Sequence, residues 1–151
     1  MKIIGFRSGT KGLRFAILEQ TSNGIECTNL GSENELKIPT NIPNIEDQIL
    51  WINDEVERIF RQNPDIVKVM IKSPEFTPAD TLNKRTTNYF DAVLLLNAKK
   101  FNKPVFTKLY SQIGVKRASV KEKVESLYGT TSKKWDEQVA DAIFIAHFGY
   151  K

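Results

Sequence analysis

Apolar and polar positions fall into short, punctuated blocks along the first third of this chain. Residues 2 to 7 and 13 to 19 are apolar-rich runs separated by Ser8-Gly9-Thr10-Lys11-Gly12, and Thr21-Ser22-Asn23-Gly24 precedes a third run from Ile25 to Leu30. Runs of strand length joined by such turns predict a three-stranded antiparallel meander. The polar stretch Gly31 to Pro43, with Pro39 and Pro43 and no sustained period, predicts a loop. The period then changes. Ile45, Ile49, Ile52, Val56 and Ile59 recur at helical spacing after Asn44, with Glu46 and Asp47 at the positive end and Asn63-Pro64 as the stop.

A β-branched run, Ile66 to Lys72, follows that helix directly, as a strand returning beside the first by a right-handed crossover would. Ser73 to Asn88, holding Pro74 and Pro78, is expected to be a loop. A second helix over Tyr89 to Lys100 puts Phe90, Val93, Asn97 and Phe101 on one face, and Pro104 to Lys108 predicts a fifth strand. Ser119-Val120-Lys121-Glu122 reads as a capping box opening a helix that Gly129 ends, and helical spacing resumes at Val139, Ala142, Ile143 and Ala146. The order predicts an α/β domain: a five-stranded mixed sheet, the antiparallel meander plus two parallel strands, with helices on both faces.

Length and composition narrow the class. At 151 residues and 40% apolar content the chain has material for one core, so a single domain over residues 1–151 is expected. Apolar runs such as Val93 to Leu96 are far shorter than the roughly 18 to 20 residues that span a bilayer, and no secretory signal is recognisable at Met1 to Arg7. No membrane partner and a cytoplasmic location are expected. The lone Cys27 cannot close an intrachain disulfide or build a cysteine-based zinc site. Charge is uneven: residues 1–60 carry 6 Lys/Arg against 9 Asp/Glu, and residues 61–151 carry 16 against 9. The basic second half makes nucleic acid a candidate partner.

Three segments carry a family resemblance. Ile3-Ile4-Gly5-Phe6-Arg7-Ser8-Gly9-Thr10 is similar to the opening strand and turn of RuvC resolvases and their YqgF-like relatives. Val115 to Val124 resembles the RuvC stretch in which basic residues run into a lysine-containing helix, and Ala140-Asp141-Ala142-Ile143-Phe144-Ile145-Ala146-His147 resembles the closing RuvC helix. The resemblance implies the RNase H-like fold. It also implies four carboxylates holding two Mg²⁺ ions about 4 Å apart, which activate water for phosphodiester cleavage. Matched position by position, those carboxylates fall at Arg7, Lys72, Gln138 and Asp141, so Asp141 alone is acidic.

Two fixed cations facing one carboxylate oppose divalent-metal binding. The resemblance therefore implies a pseudo-nuclease without metal or other cofactor, in which Arg7 and Lys72 neutralise Asp141 as an internal ion pair. The alternative is a metal-dependent, structure-selective nuclease, like the Holliday junction resolvases, that uses Asp141 with Mg²⁺ and relocated ligands drawn from Glu75, Asp136 and Glu137. For a binding module, the candidate phosphate contacts are Lys11, Lys116, Arg117, Lys121, Lys133 and Lys134, with Trp135 and Tyr110 available to stack on bases. Lys11 lies in a hairpin that also resembles the phosphate clasp of actin-like ATPases, but those enzymes close a second lobe over the nucleotide. His147, the only histidine, is expected to be a packed or surface residue. RuvC-like proteins often pair through the helix after the third strand, so the resemblance also implies a protein partner or a second copy of the chain on an exposed strip of Trp51, Ile52 and Phe60 on the first helix; core packing explains the same residues nearly as well.

Overall fold

The first two strands, β1 (Lys2–Gly9) and β2 (Gly12–Thr21), pair along the whole of β1 around a two-residue turn. Gly12 makes that turn possible, with a φ of 138° and a neighbouring strand so close that a Cβ would stand 1.9 Å from the Leu36 carbonyl oxygen. The computed structural model describes residues 1–151. After β3 (Gly24–Cys27) come β4 (Glu35–Lys37), α1 (Ile45–Gln62), β5 (Ile66–Lys72), α2 (Leu82–Lys100), β6 (Val105–Lys108), α3 (Tyr110–Ile113), α4 (Arg117–Tyr128) and α5 (Glu137–Phe148). The sheet runs β3-β2-β1-β5-β6, antiparallel from β3 to β1 and parallel from β1 to β6.

Alternation along the central strands sorts the core into two layers. Ile4 and Phe6 of β1 and Val69 and Ile71 of β5 point to one face, where they meet Ile52, Val56, Ile59 and Phe60 of α1 and Phe90 and Leu94 of α2. Ile3 of β1 and Met70 of β5 point to the other, under Ala142, Ile143 and Ala146 of α5 and Val120 and Val124 of α4. Gly5 lies on that second face. A Cβ there would stand 2.1 Å from the Ala142 carbonyl oxygen and 2.9 Å from the Ala146 Cβ, so the missing side chain is what lets α5 lie directly on β1. No helix is long and apolar enough to cross a membrane.

The mixed α/β architecture is as the sequence pattern predicts, and four details differ. A sixth strand, β4, forms inside the expected loop and pairs with Gly12 to Arg14 of β2, while β3 pairs with Leu18 to Thr21 of the same edge. The gap between them is closed by the buried Asn29, whose Oδ1 accepts from the Ile17 N–H at 2.8 Å and whose Nδ2 donates to the Phe15 carbonyl at 3.2 Å. A side chain thus supplies bonds that no strand is there to make, which satisfies a buried backbone. Second, α2 begins at Leu82, seven residues before the predicted start; Thr81 caps it by accepting from the Lys84 N–H at 3.1 Å. Its first turns show little apolar periodicity because they lie mostly in solvent.

Third, α4 starts at Arg117, with Lys116 at the N-cap and no side-chain cap, so Ser119 sits inside the helix and not at its cap. The short α3 precedes it. Fourth, Ile52 and Phe60 are fully buried, and Trp51 is half-buried and packed against the same core. The strip suggested as a docking face is the inner face of α1, turned toward the sheet by the period that made it conspicuous.

Candidate functional site

β1 and β5 run parallel with Phe6 opposite Ile71, so Arg7 and Lys72 emerge side by side at the carboxyl ends of the two central strands. Both share the face of Ile3 and Met70, the face covered by α5. The first turns of α5 are set by Asp136, whose Oδ1 accepts from the Val139 N–H at 2.8 Å. Asp141 lies about one turn further on, at the sheet's midline, and is 1% exposed. In open α/β sheets, the carboxyl ends of the strands at a topological switch point are where ligands bind. Here that point is occupied by charged side chains.

Arg7 donates from Nε to Asp141 Oδ2 at 3.1 Å and from Nη1 to the Ser8 carbonyl at 3.0 Å. The Tyr110 hydroxyl lies 2.8 and 2.7 Å from the two Asp141 oxygens and shares its one proton between them. Burial raises the Asp141 pKa, and Tyr110, Arg7 and Lys72 act against that rise. Lys72 does not reach Asp141. Its ammonium donates to the Ser73 carbonyl at 2.6 Å and to Glu75 Oε1 at 3.1 Å, and sits 3.7 Å from the centre of the Tyr110 ring. Burial lowers its pKa, with Glu75 as the main opposing influence. The internal pair is therefore Arg7 with Asp141, while Lys72 takes Glu75 as its partner.

The other carboxylates nearby are committed as well. Glu75 also accepts from the Tyr110 backbone N–H at 2.8 Å; burial raises its pKa but this bond and Lys72 more than reverse the effect, leaving it below its ordinary value. Asp136 caps α5 and lies 3.4 Å from Arg14 and 3.8 Å from Lys134. Glu137 accepts from Arg117 Nε at 2.5 Å. Gln138 rests its amide against Gly9, where a Cβ would stand 2.8 Å from Oε1. A pair of divalent ions requires several hard anionic oxygens on one centre. No group of three or more His, Cys, Asp or Glu side chains is arranged to hold a metal, and both Asp141 oxygens are already engaged. These residues do not fit the ions that the resemblance implies.

One carboxylate stands apart. Asp91 of α2 is 8% exposed, its Oδ1 has no hydrogen-bond partner, and burial raises its pKa to about 6, against opposing effects of Ser8, Arg7 and Lys72. Ser8 is close enough to influence it, yet its buried hydroxyl is not aligned for a hydrogen bond with any partner. Nothing in the sequence pattern distinguished Asp91; only the fold brings it beneath β1.

The basic residues proposed for nucleic acid divide into groups. Arg117 alone reaches the strand ends, where with Arg7 it lines two adjoining cavities of about 240 and 280 Å³. Lys116 and Lys121 lie exposed at the start of α4, and Lys133 and Lys134 lie exposed in the loop before α5. Lys11 is exposed in the β1–β2 turn and lines a separate crevice with Lys37. The two aromatic residues offered for stacking are not free. Tyr110 is buried over Asp141, and Trp135 is half-buried with its Nε1 donating to Glu125 at 3.0 Å. His147 hydrogen-bonds Tyr128 through Nδ1 at 2.7 Å, away from the strand ends. Two residues of the site carried no sequence signal: Lys84, placed by the unpredicted first turn of α2, and Arg14, which stands beside Arg7's strand on β2.

The strand order, the crossover helix and the covering α5 define a RuvC-like version of the RNase H-like fold. No family model and no curated protein matches the sequence. Among solved structures the chain is similar to RuvC of Thermus thermophilus bound to a Holliday junction substrate, with a TM-score of 0.79, 15% identity and coverage of 98% of this chain and 92% of that one. It is also similar to the yeast mitochondrial Holliday junction resolvase Ydc2 (TM-score 0.59, 13% identity, covering 97% and 77%) and to the fowlpox virus Holliday junction resolvase (0.59, 13%, 100% and 100%). At these identities the likeness is one of fold.

Proposed function

We propose that this chain is a RuvC-fold module that binds branched nucleic acid without metal-dependent cleavage. The observation that carries the reading is the Arg7–Asp141 pair: at the carboxyl ends of the central strands a guanidinium holds the one acidic residue that family position retains. A fixed cation there repels divalent ions and favours phosphate. The exposed lysines of α4 and the following loop extend the same attraction along a backbone, and the fold likeness to three Holliday junction resolvases makes a branched duplex the first ligand to try.

The test is a calorimetric titration of the protein with Mg²⁺ and Mn²⁺, run beside binding and cleavage of a labelled four-way DNA junction. The expected outcome is no heat of metal binding, no cleavage, and junction binding that persists in EDTA and weakens steeply with salt. Cleavage that EDTA abolishes and Asp141→Asn removes would replace this reading with the metal-dependent nuclease.

A further inference from the structure

Three adjoining cavities of about 240, 280 and 200 Å³ meet at Arg7. Most of the side chains that line them are polar or charged, and beside the Lys72–Glu75 pair three further cations reach the first cavity from three different elements: Arg7 from β1, Lys84 from α2 and Arg117 from α4. We propose that this crevice is an oxyanion pocket that holds one phosphate group directly on Arg7, Lys84 and Arg117, with no metal between. The inference rests on the nucleic-acid reading above and deepens it, since it names the chemical group that the strand ends would receive.

Donor accounting supports it. Arg7 is anchored through Nε and Nη1, which leaves Nη2 without a partner on a guanidinium held rigid from behind. Lys84 donates only to the Thr77 hydroxyl, at 2.9 Å, and makes no ion pair, so an ammonium with three donors uses one. Arg117 is held by Glu137 in a largely exposed pair, its side chain 74% accessible. Such a pair contributes little, so an incoming anion exchanges with Glu137 at small cost. Glu137 thus acts as an internal placeholder for the anion.

The geometry also selects among anions. A planar carboxylate is best met by one fork of parallel N–H groups. Cations converging from a strand and two helices suit a tetrahedral oxyanion, which accepts from several directions at once. Lys72, behind Arg7, adds positive charge without a free approach, because Ser73, Glu75 and the Tyr110 ring surround its ammonium.

The experiment is a two-dimensional NMR titration of the whole protein with inorganic phosphate in EDTA, paired with junction-DNA binding, on the wild type and on Lys84→Gln and Arg117→Gln. Thermal melts first establish that both variants are folded. The pocket predicts saturable phosphate shifts at the amides around Arg7, Thr77 to Lys84 and Arg117, weakened about tenfold or more in each variant, as loss of a charge-assisted contact implies. Phosphate binding of this kind without junction binding upholds the pocket and removes the nucleic-acid reading. Junction binding at wild-type affinity in both variants, with no phosphate shifts at these amides, overturns the pocket and leaves that reading standing.

Discussion

At the scale of single residues the chemistry turns on how buried charge is neutralised. Arg7, Asp141 and Tyr110 form one unit, in which removing the cation leaves a carboxylate that is 1% exposed with a phenol as its one remaining hydrogen-bond partner. Arg7→Ala is expected to cost about 3 kcal/mol or more in urea unfolding, because breaking a buried pair strands its partner. Asp141→Asn in the same chain should recover part of that loss, which a double-mutant cycle measures. Converting the site is the stronger test: Arg7→Asp with Lys72→Glu and Gln138→Asp should produce calorimetric Mg²⁺ or Mn²⁺ binding, against none expected for the parent. Asp91 gives a prediction in pH. Burial lifts its pKa from 3.8 to about 6, so the folded state keeps a proton that the unfolded state loses between those values. Stability therefore falls as pH rises from about 4 to 6, and the cost is present in full above that window. Asp91→Asn should be more stable than the parent at pH 7.5 by on the order of 1–3 kcal/mol, with the difference vanishing at pH 4 or below. Unfolding curves at both pH values check it.

At the scale of elements, the contact of α5 with β1 positions the site. Gly5 brings the two backbones together, and Ala142 and Ala146 keep the helix side of that contact small. Gly5→Ala should destabilise by about 2–3 kcal/mol, since its Cβ would meet helix backbone that cannot step aside. Because Asp141 is carried on the same helix, the variant should also move the Arg7 and Tyr110 side-chain resonances, which NMR reads. The extended start of α2 matters in another way. Its Thr81 cap sets the turn that presents Lys84 to the crevice. Thr81→Ala is expected to cost about 1 kcal/mol and to loosen Lys84 without altering the core.

At the scale of the whole molecule, the parallel half of the sheet and the uneven charge point the same way. The strand ends of β1 and β5 open toward α4 and the α4–α5 loop, where Lys116, Lys121 and Lys133 are exposed and free of acidic partners. Phosphate contacts release counterions, so junction affinity should fall linearly on a log–log plot against salt, with a slope of roughly −0.9 per phosphate neutralised. Lys133→Gln should reduce that slope by about 1 and leave inorganic-phosphate binding at Arg7 unchanged. A slope that does not respond would place the DNA track elsewhere on the surface.

The sequence by itself determined most of the architecture. Apolar-rich runs between turn residues marked β1 and β2, a β-branched run marked β5 and the helical period marked α1, because these patterns are imposed by burial along one element at a time, while the family resemblance of the closing helix singled out Asp141. The same resemblance implied Arg7 and Lys72 as neighbours at the strand ends. Where burial is slight the pattern is silent, and so β4, held to an edge by three residue pairs, and the solvated first turns of α2 went unread. Partnership was decided only by the tertiary structure. The sequence allowed Arg7 and Lys72 both to face Asp141. In the fold, α3 turns Tyr110 over the carboxylate and the segment after β5 brings Glu75 to Lys72. Likewise core packing explained Trp51, Ile52 and Phe60 nearly as well as an exposed strip did, and only the seating of α1 on the sheet separated the two. Which side chains meet depends on contacts between residues 134 apart, as in Arg7 with Asp141, and no local period records a contact of that range.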